Sequence, residues 1–377
     1  MYKILVVGYG SNPGGIERFI TNYCSQFDNK KVQVDILGND PEPLAFENKI
    51  KAWGGKIYIL NMPTIKKNPV KHFTRLKTVT KKLFPNYDCV WFNTLDLKNI
   101  ELIKLARKLQ VPKIIIHSHN SKWSNKVSLI DNIRHEVNKK RIVKYGTDFW
   151  ACSESAKKWL FPPELYTKVK IINNAINVKD FEFDLNARKK IRDKYNLNDS
   201  LVLGNVGRLT QQKNQIFSLK IFQKLLEQVP NSKLILLGQG EDEKILRKKA
   251  KELKIEKNVI FMGAKKNVND WYSAFDLLLL TSLYEGLPLT AVEAQANGVT
   301  IVANKTVIPE RSIINTNLKL LSLKDDPEVW ANEILSLYLH KRLKREDNKK
   351  IESNFKKSGF NIRLESSKVQ QSIIGNH

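Results

Sequence analysis

The chain has 377 residues, 42% of them hydrophobic and 9% aromatic. That is too long for one small domain and too apolar for a disordered chain, so two globular domains with separate cores are expected. The formal net charge of +26 calls for an anionic partner: nucleic acid, an anionic membrane surface or phosphorylated ligands.

Three cysteines, Cys24, Cys89 and Cys152, are odd in number, far apart and without metal-ligand spacing. They read as buried thiols in a reducing compartment. The opening Met-Tyr-Lys-Ile-Leu-Val-Val-Gly reads as a strand rather than a leader, its apolar run being too short. No apolar stretch approaches the length that crosses a bilayer. A cytoplasmic protein, or one peripheral on the cytoplasmic face of a membrane, is therefore expected.

Tyr2 to Val7 predicts a buried strand, and a helix starts at Ile16 with Phe19, Ile20 and Tyr23 on one face. Between them lie Gly8, Gly10, Gly14 and Gly15. Gly14 falls one residue late for the dinucleotide fingerprint, which argues against an NAD site. Further strands are expected at 32–37, 56–60, 88–93, 113–117 and 149–153. Residues 65–84 combine Lys66, Lys67, Lys71, Arg75, Lys77, Lys81 and Lys82 with Val70, Phe73, Leu76, Val79, Leu83 and Phe84 at helical spacing. That pattern suits a helix lying on an anionic bilayer, or a surface helix docked on the sheet with a solvated basic face. A second basic helix is expected at 134–145. The strand at 113–117 ends in His117-Ser118-His119-Asn120. Either ring could face a ligand at the strand's carboxyl end, because next-but-one neighbours share a face; His119 is favoured. A metal role for this His-x-His lacks nearby partners.

The charged stretch 180–200 reads as a linker, giving domains at 1–185 and 186–355 and a tail at 356–377. The second domain opens with a strand at 201–206, followed by Gly207-Arg208 and Lys213. An Arg offers a bidentate fork for a phosphate and a Lys a compact charge beside it. A strand at 233–237 runs into Gly238-Gln239-Gly240, and another is expected at 259–262. Asp276 to Thr281 reads as a buried strand feeding a turn at 282–287. A helix follows, with Pro288 in its first turn and Gly298 just past its last. Ligands of open α/β sheets bind at such strand ends, facing helix N-termini. There Glu285, in the turn, and Glu293, in the helix, are suited to accept hydrogen bonds from ribose or sugar hydroxyls.

Glu285-Gly-Leu-Pro-Leu-Thr-Ala-Val-Glu293 resembles the Glu-x7-Glu signature of retaining nucleotide-sugar glycosyltransferases of the GT-B class, family four. Gly298-Val-Thr-Ile-Val-Ala303 resembles that family's following strand. The resemblance covers nearly the whole chain and is specific mainly in its second half. It implies an α/β fold of two Rossmann-like, doubly wound parallel-sheet domains facing a central cleft. The first would bind the acceptor and the second the nucleotide sugar, with the tail crossing back to the first domain.

It also implies roles. Arg208 and Lys213 would clamp the donor diphosphate, and Gly238 and Gly240 would turn under the nucleotide. Gly286, Leu287 and Leu289 would line the donor site where the helix begins. Glu285 would take the transferred sugar's hydroxyls and Glu293 the ribose. Gly14 and Gly15 would approach the donor phosphate or the acceptor, and His117 or His119 would lie near the donor sugar. Asn173 to Asn177 resembles the family's Pro-Asn-Gly-Ile-Asp turn, with Asn173, Ala175 and Asn177 departing from it. Glu310 falls at a later loop glutamate.

The expected reaction is retaining transfer of a hexosyl or N-acetylhexosaminyl unit to a glycan or lipid-linked acceptor, in capsule, exopolysaccharide or cell-wall synthesis. No cofactor is expected beyond the donor itself, a UDP-sugar being favoured. No Asp-x-Asp is present to hold a metal, so metal independence is expected. A relative that isomerises or hydrolyses nucleotide sugars is the nearest rival. A nucleic-acid-binding protein is a more distant one, since the lysines are scattered and no basic-aromatic platform supports it.

Overall fold

The computed structural model describes residues 1–38, 43–62, 68–123, 127–340 and 343–375. The chain divides into two compact units, Met1–Ala175 with Ile362–His377, and Ile176–Asn361.

The first unit is built on seven parallel strands: β1 (Tyr2–Tyr9), β2 (Val32–Gly38), β3 (Ile57–Ile59), β4 (Cys89–Thr94), β5 (Lys113–Ser118), β6 (Asp148–Ala151) and β7 (Val169–Ile171). Their order is β3-β2-β1-β4-β5-β6-β7. Runs such as Ile4–Val7 and Ile114–Ile116 are apolar at successive positions because helices cover both faces of the sheet. β1 pairs with both β2 and β4, so the strand order reverses beside it. Gly8 makes the close approach there possible. Its φ is +93°, and a Cβ on it would stand 2.0 Å from the Asn93 carbonyl oxygen. The helices are α1 (Gly15–Cys24), α2 (Glu47–Ala52), α3 (Pro69–Leu83), α4 (Glu101–Lys108), α5 (Leu129–Arg141) and α6 (Glu154–Leu160). All three cysteines are buried and none forms a disulfide among the described residues.

α3 covers most of the basic segment expected at 65–84, but Lys66 and Lys67 lie outside the described residues. Leu76, Leu83 and the following Phe84 are buried, so most of its apolar face serves the fold and only Val70 and Phe73 are well exposed.

The second unit has six parallel strands: β8 (Leu201–Val206), β9 (Ser232–Leu237), β10 (Val259–Gly263), β11 (Leu277–Leu280), β12 (Thr300–Asn304) and β13 (Leu318–Leu321). Their order is β10-β9-β8-β11-β12-β13, and the reversal falls between β8 and β11. Its helices are α7 (Leu185–Lys194), α8 (Gln215–Gln228), α9 (Glu243–Glu252), α10 (Val268–Ala274), α11 (Leu289–Asn297), α12 (Pro327–Leu339) and α13 (Asn348–Ser358). No described helix is long and apolar enough to cross a membrane.

Two boundaries differ from the sequence reading. The stretch 180–200 is no linker: α7 belongs to the second unit. Arg188 and Arg192 donate to opposite oxygens of Asp276, at 2.5 and 3.1 Å, and Arg192 also reaches the carbonyls of Ala274 and Ser200. Its charges looked solvated because their carboxylate partner lies more than eighty residues away in the chain. The units meet at Ala175 rather than at 185, since the turn Val178–Phe181 packs on α11 and the Phe181 carbonyl accepts from Asn297 Nδ2. The last helix, α14 (Ile362–Ile374), packs on α1 in the first unit. Ile362 and Ile373 are buried there, and Gln370 accepts from the amide of Asp28 at 2.8 Å.

Candidate active site

At the reversal of the second sheet, the loop after β8 is stitched to the loop after β11. Leu283 N donates to Gln212 O at 2.8 Å, and Gln212 Nε2 returns a bond to Tyr284 O at 3.0 Å. Asn214 Nδ2 donates to Thr281 O, and the fully buried Thr281 hydroxyl reaches back to the carbonyls of Lys213 and Asn214. These bonds bring Lys213 and Glu285 together. Lys213 Nζ lies 2.6 Å from Glu285 Oε1, with side chains only 15% and 10% exposed. Lys213 also lies along Gly207, where a Cβ would stand 3.1 Å from its Cε. The Arg208 side chain is exposed, while its carbonyl is fixed by Gln215 Nε2 at 2.9 Å. Its charge is felt by the Tyr284 phenol: burial and Glu285 push that pKa up, and Arg208 opposes them. Arg208, Lys213 and Glu285 thus lie on the two stitched loops, after β8 and β11.

Gly238 and Gly240 hold this arrangement from below. Gly238 has φ +150°, and a Cβ there would fall 1.9 Å from the Gly207 carbonyl oxygen; at Gly240 it would fall 2.1 Å from the Leu209 carbonyl oxygen. The two backbones are then bonded, Gly207 N to Leu237 O and Leu209 N to Gln239 O, each at 3.0 Å. The segment bearing Arg208 has one path open to it.

Gly286, Leu287 and Leu289 are buried where α11 begins, and no side chain caps that helix. Its first amides therefore present their dipole to whatever lies ahead of it. Glu293 is 2% exposed, and its Oε2 accepts from the buried Tyr272 hydroxyl at 2.7 Å. Glu310 is exposed in the turn Glu310–Ser312.

In the first unit, the glycine loop after β1 is organised by Glu17. Its carboxylate accepts from Gly10 N and Gly14 N, both at 3.0 Å. The Gly14 amide is therefore engaged within the chain. Among the described residues, nothing lies within 4 Å of where a Cβ on Gly15 would be.

His117 and His119, which shared a face by their spacing, part company in their surroundings. His117 is wholly buried, stacks on Trp91 and sits edge-on to Phe19, and neither ring nitrogen has a hydrogen-bond partner among the described residues. Burial first, then His119, drives its pKa well below the usual histidine value. It is a neutral core residue. His119 lies just past β5, partly exposed, with Nε2 2.8 Å from Asn93 Oδ1. Asn93 Nδ2 faces the carbonyls of Val7 and Trp91, so Oδ1 is its free acceptor and His119 carries its proton on Nε2. Nδ1 is left as the ring's acceptor, and burial lowers the pKa to about 3.

Residues 187–358 match the family model of glycosyl transferases group 1. The matched stretch lies within the second unit. EpsF of Bacillus subtilis (strain 168) is 28% identical over 351 residues, covering 91% of this chain and 90% of its own. The UDP-Gal:α-D-GlcNAc-diphosphoundecaprenol α-1,3-galactosyltransferase of Escherichia coli is 22% identical over 311 residues, covering 77% and 76%. In overall fold, the chain matches the crystal structure of Anabaena HepE in complex with UDP and glucose, with a TM-score of 0.78, 18% identity and full coverage of both chains. The fold is GT-B.

Three residues of this candidate site have no sequence signal of comparable clarity. Tyr272 sits in a short helix with no motif, and only the fold brings it to Glu293. Asn93 ends a strand like many others, yet sets the His119 tautomer. Glu17 stood in the Gly-Gly-x-Glu pattern, but its reach back to Gly10 and Gly14 depends on the loop's path.

Proposed function

We propose that the protein is a retaining glycosyltransferase that moves a hexosyl or N-acetylhexosaminyl unit from a nucleotide-diphosphate sugar, with UDP the favoured carrier. The observation that carries this reading is the Lys213–Glu285 pair beside Arg208. A donor diphosphate would take Lys213 from Glu285 and add Arg208, replacing one ion pair by stronger ones to a multiply charged group. Glu285, released, would accept from hydroxyls of the transferred sugar. As the bond from the anomeric carbon to the diphosphate breaks and one to the acceptor oxygen forms on the same face, the departing diphosphate gains charge, and its leaving oxygen takes the proton that the acceptor hydroxyl loses. Arg208, Lys213 and the α11 N-terminus would stabilise that charge without a metal or cofactor. Glu293 would hold the ribose, its carboxylate oriented by Tyr272. Gly238 and Gly240 would turn under the nucleotide, and Gly286, Leu287 and Leu289 would complete the donor site.

The first unit would serve the acceptor. A carboxylate already resting on the Gly10 and Gly14 amides would repel a phosphate and suits a hydroxyl-bearing acceptor, which Gly15 leaves room to approach. His119 Nδ1 could accept from such a hydroxyl. A lipid-linked acceptor is favoured, in polysaccharide synthesis at the cytoplasmic face of a membrane. The net charge and the diphosphoundecaprenol acceptor of the Escherichia coli relative support that choice.

A thermal-shift screen across UDP-, GDP-, ADP- and TDP-sugars, followed by NMR of the product's anomeric centre, tests the reading. A raised Tm with one donor and an unchanged anomeric configuration support it. No shift with any donor, or donor consumption that proceeds equally well without acceptor, overturns it.

A further inference from the structure

An ordinary surface helix turns its aliphatic side chains inward and its polar ones to water. α5 does the reverse. Its only buried residue is His135, whose ring stacks on Trp159 with Trp123 edge-on. His135 Nδ1 accepts from Leu97 N at 3.1 Å, and Nε2 faces the Trp159 carbonyl at 3.3 Å. Asn138 Nδ2 donates to Leu97 O at 2.7 Å on the same side. The opposite side carries Leu129, Ile130, Ile133 and Val137, exposed by 75%, 62%, 53% and 42%. At 100° per residue these four span a stripe of roughly 100°, facing directly away from His135. Polar bonds anchor the helix, and its aliphatic stripe is left uncovered among the described residues.

Charge identifies the occupant. Around the stripe, residues 129–144 carry Arg134, Lys139, Lys140, Arg141 and Lys144 against Asp131 and Glu136. Arg134 and Arg141 flank the stripe on one side and Lys140 lies within it, all exposed. Glu136 stands at the other edge, so cations outnumber acids around the stripe, and an aliphatic stripe with a net positive surround matches an anionic bilayer surface, where acyl chains lie beneath negative headgroups. α5 also begins ten residues after His119, on the same loop side of the sheet. We infer that the outward face of α5 is a bilayer-docking surface that seats the first unit on anionic lipid. α3 contributes less, because most of its apolar face is already used in packing. The inference rests on the lipid-linked acceptor proposed above.

The test is co-sedimentation of the full chain with vesicles of phosphatidylglycerol and phosphatidylcholine, against phosphatidylcholine alone. Wild type is expected to bind the anionic vesicles. The double variant Ile130→Asp/Ile133→Asp is expected to weaken that binding on the order of tenfold or more, and Val70→Asp in α3 to leave it within about twofold, the side chain lying outside the proposed surface. Arg134→Gln and Arg141→Gln should each cost about fivefold, and only on anionic vesicles. Leu129→Ser, a milder change, decides the matter if the double variant melts early. The inference is overturned if wild type does not sediment with anionic vesicles, if both stripe variants bind like wild type, or if they only split a dimer seen by light scattering. The UDP-sugar thermal shift is read on every variant. Stripe variants are expected to lose lipid binding and keep the donor shift. A wild type that keeps the donor shift but does not bind anionic vesicles sinks the docking surface alone, and a wild type that binds them but shows no donor shift sinks the donor site alone.

Discussion

Lys213 and Glu285, seventy-two residues apart in the chain, form a 2.6 Å ion pair at the end of the second sheet, where a phosphate and a sugar hydroxyl would each claim one partner. The pair makes separable predictions. Lys213→Ala should weaken UDP binding and cut kcat/KM on the order of 100-fold or more. Glu285→Ala should cut kcat by a similar order yet leave UDP binding unchanged or tighter, because the carboxylate competing for Lys213 has gone. Calorimetry with UDP alone, beside steady-state kinetics, distinguishes the two. Equal losses of UDP affinity in both variants would refute the exchange.

Arg208 offers a cleaner contrast, because its side chain is exposed and holds no part of the core. Arg208→Ala should melt with wild type while losing on the order of 100-fold in turnover. Arg208→Lys should recover only part of it, lacking the fork that grips two phosphate oxygens. A large drop in Tm would mean that the arginine is structural.

Gly238→Ala should do the opposite, damaging stability first. The new methyl would fall 1.9 Å from the Gly207 carbonyl oxygen, at a φ that side chains rarely adopt. A cost of about 2 kcal/mol or more is expected, visible as a lower midpoint in urea. Activity should suffer as well, because the displaced segment carries Arg208.

Three histidines give the pH dependence its sign. His117, His119 and His135 all have folded pKa values below the ordinary one, chiefly through burial. The unfolded chain therefore takes up protons below about pH 6.5 that the folded chain refuses. Their contribution to stability is present above that pH and is lost as pH falls toward the depressed values. Each ring adds a slope of up to about 1.4 kcal/mol per pH unit in that window. His117→Phe should flatten the slope between pH 6.5 and 4.5, and cost little at pH 7.5, since its unpartnered nitrogens are replaced by carbon among aromatic neighbours. Urea midpoints of both proteins across this range check it.

Tyr272→Phe removes one donor from a carboxylate that is 2% exposed. A loss of about 1–3 kcal/mol in stability is expected. If Glu293 holds the ribose, KM for the donor should rise while kcat changes less. Unchanged KM would separate Glu293 from the donor.

How far the sequence could be read depended on the range of each interaction. Most strands were legible because buried parallel strands leave unbroken apolar runs, as in Leu277–Leu280, whereas the half-exposed edge strands β7 and β13 leave no such run and were missed. Arg208, Lys213 and Glu285 were legible because each follows such a run within a few residues. The side facing the core was harder to read. A period of two put His117 and His119 on one face, and only the end of β5 separates a core ring from a partly exposed one. The basic character of α3 and α5 was plain, but a helical wheel does not say which side meets the sheet. Leu76 and Leu83 face in on α3, whereas Leu129, Ile130, Ile133 and Val137 face out on α5. The stretch 180–200 failed as a linker because Asp276, the partner of Arg188 and Arg192, is remote in sequence.

The seat of α14 on α1 also bears on how the chain is made. A ribosome releases residues 1–175 first, yet the helix that finishes their unit, Ile362–Ile374, emerges only after the entire second unit. Until then the groove that Ile362, Val369 and Ile373 will fill stays open beside α1, a sticky surface on a nascent chain. The half synthesised first is thus the half completed last, so early termination anywhere in the second unit leaves an unfinished first one.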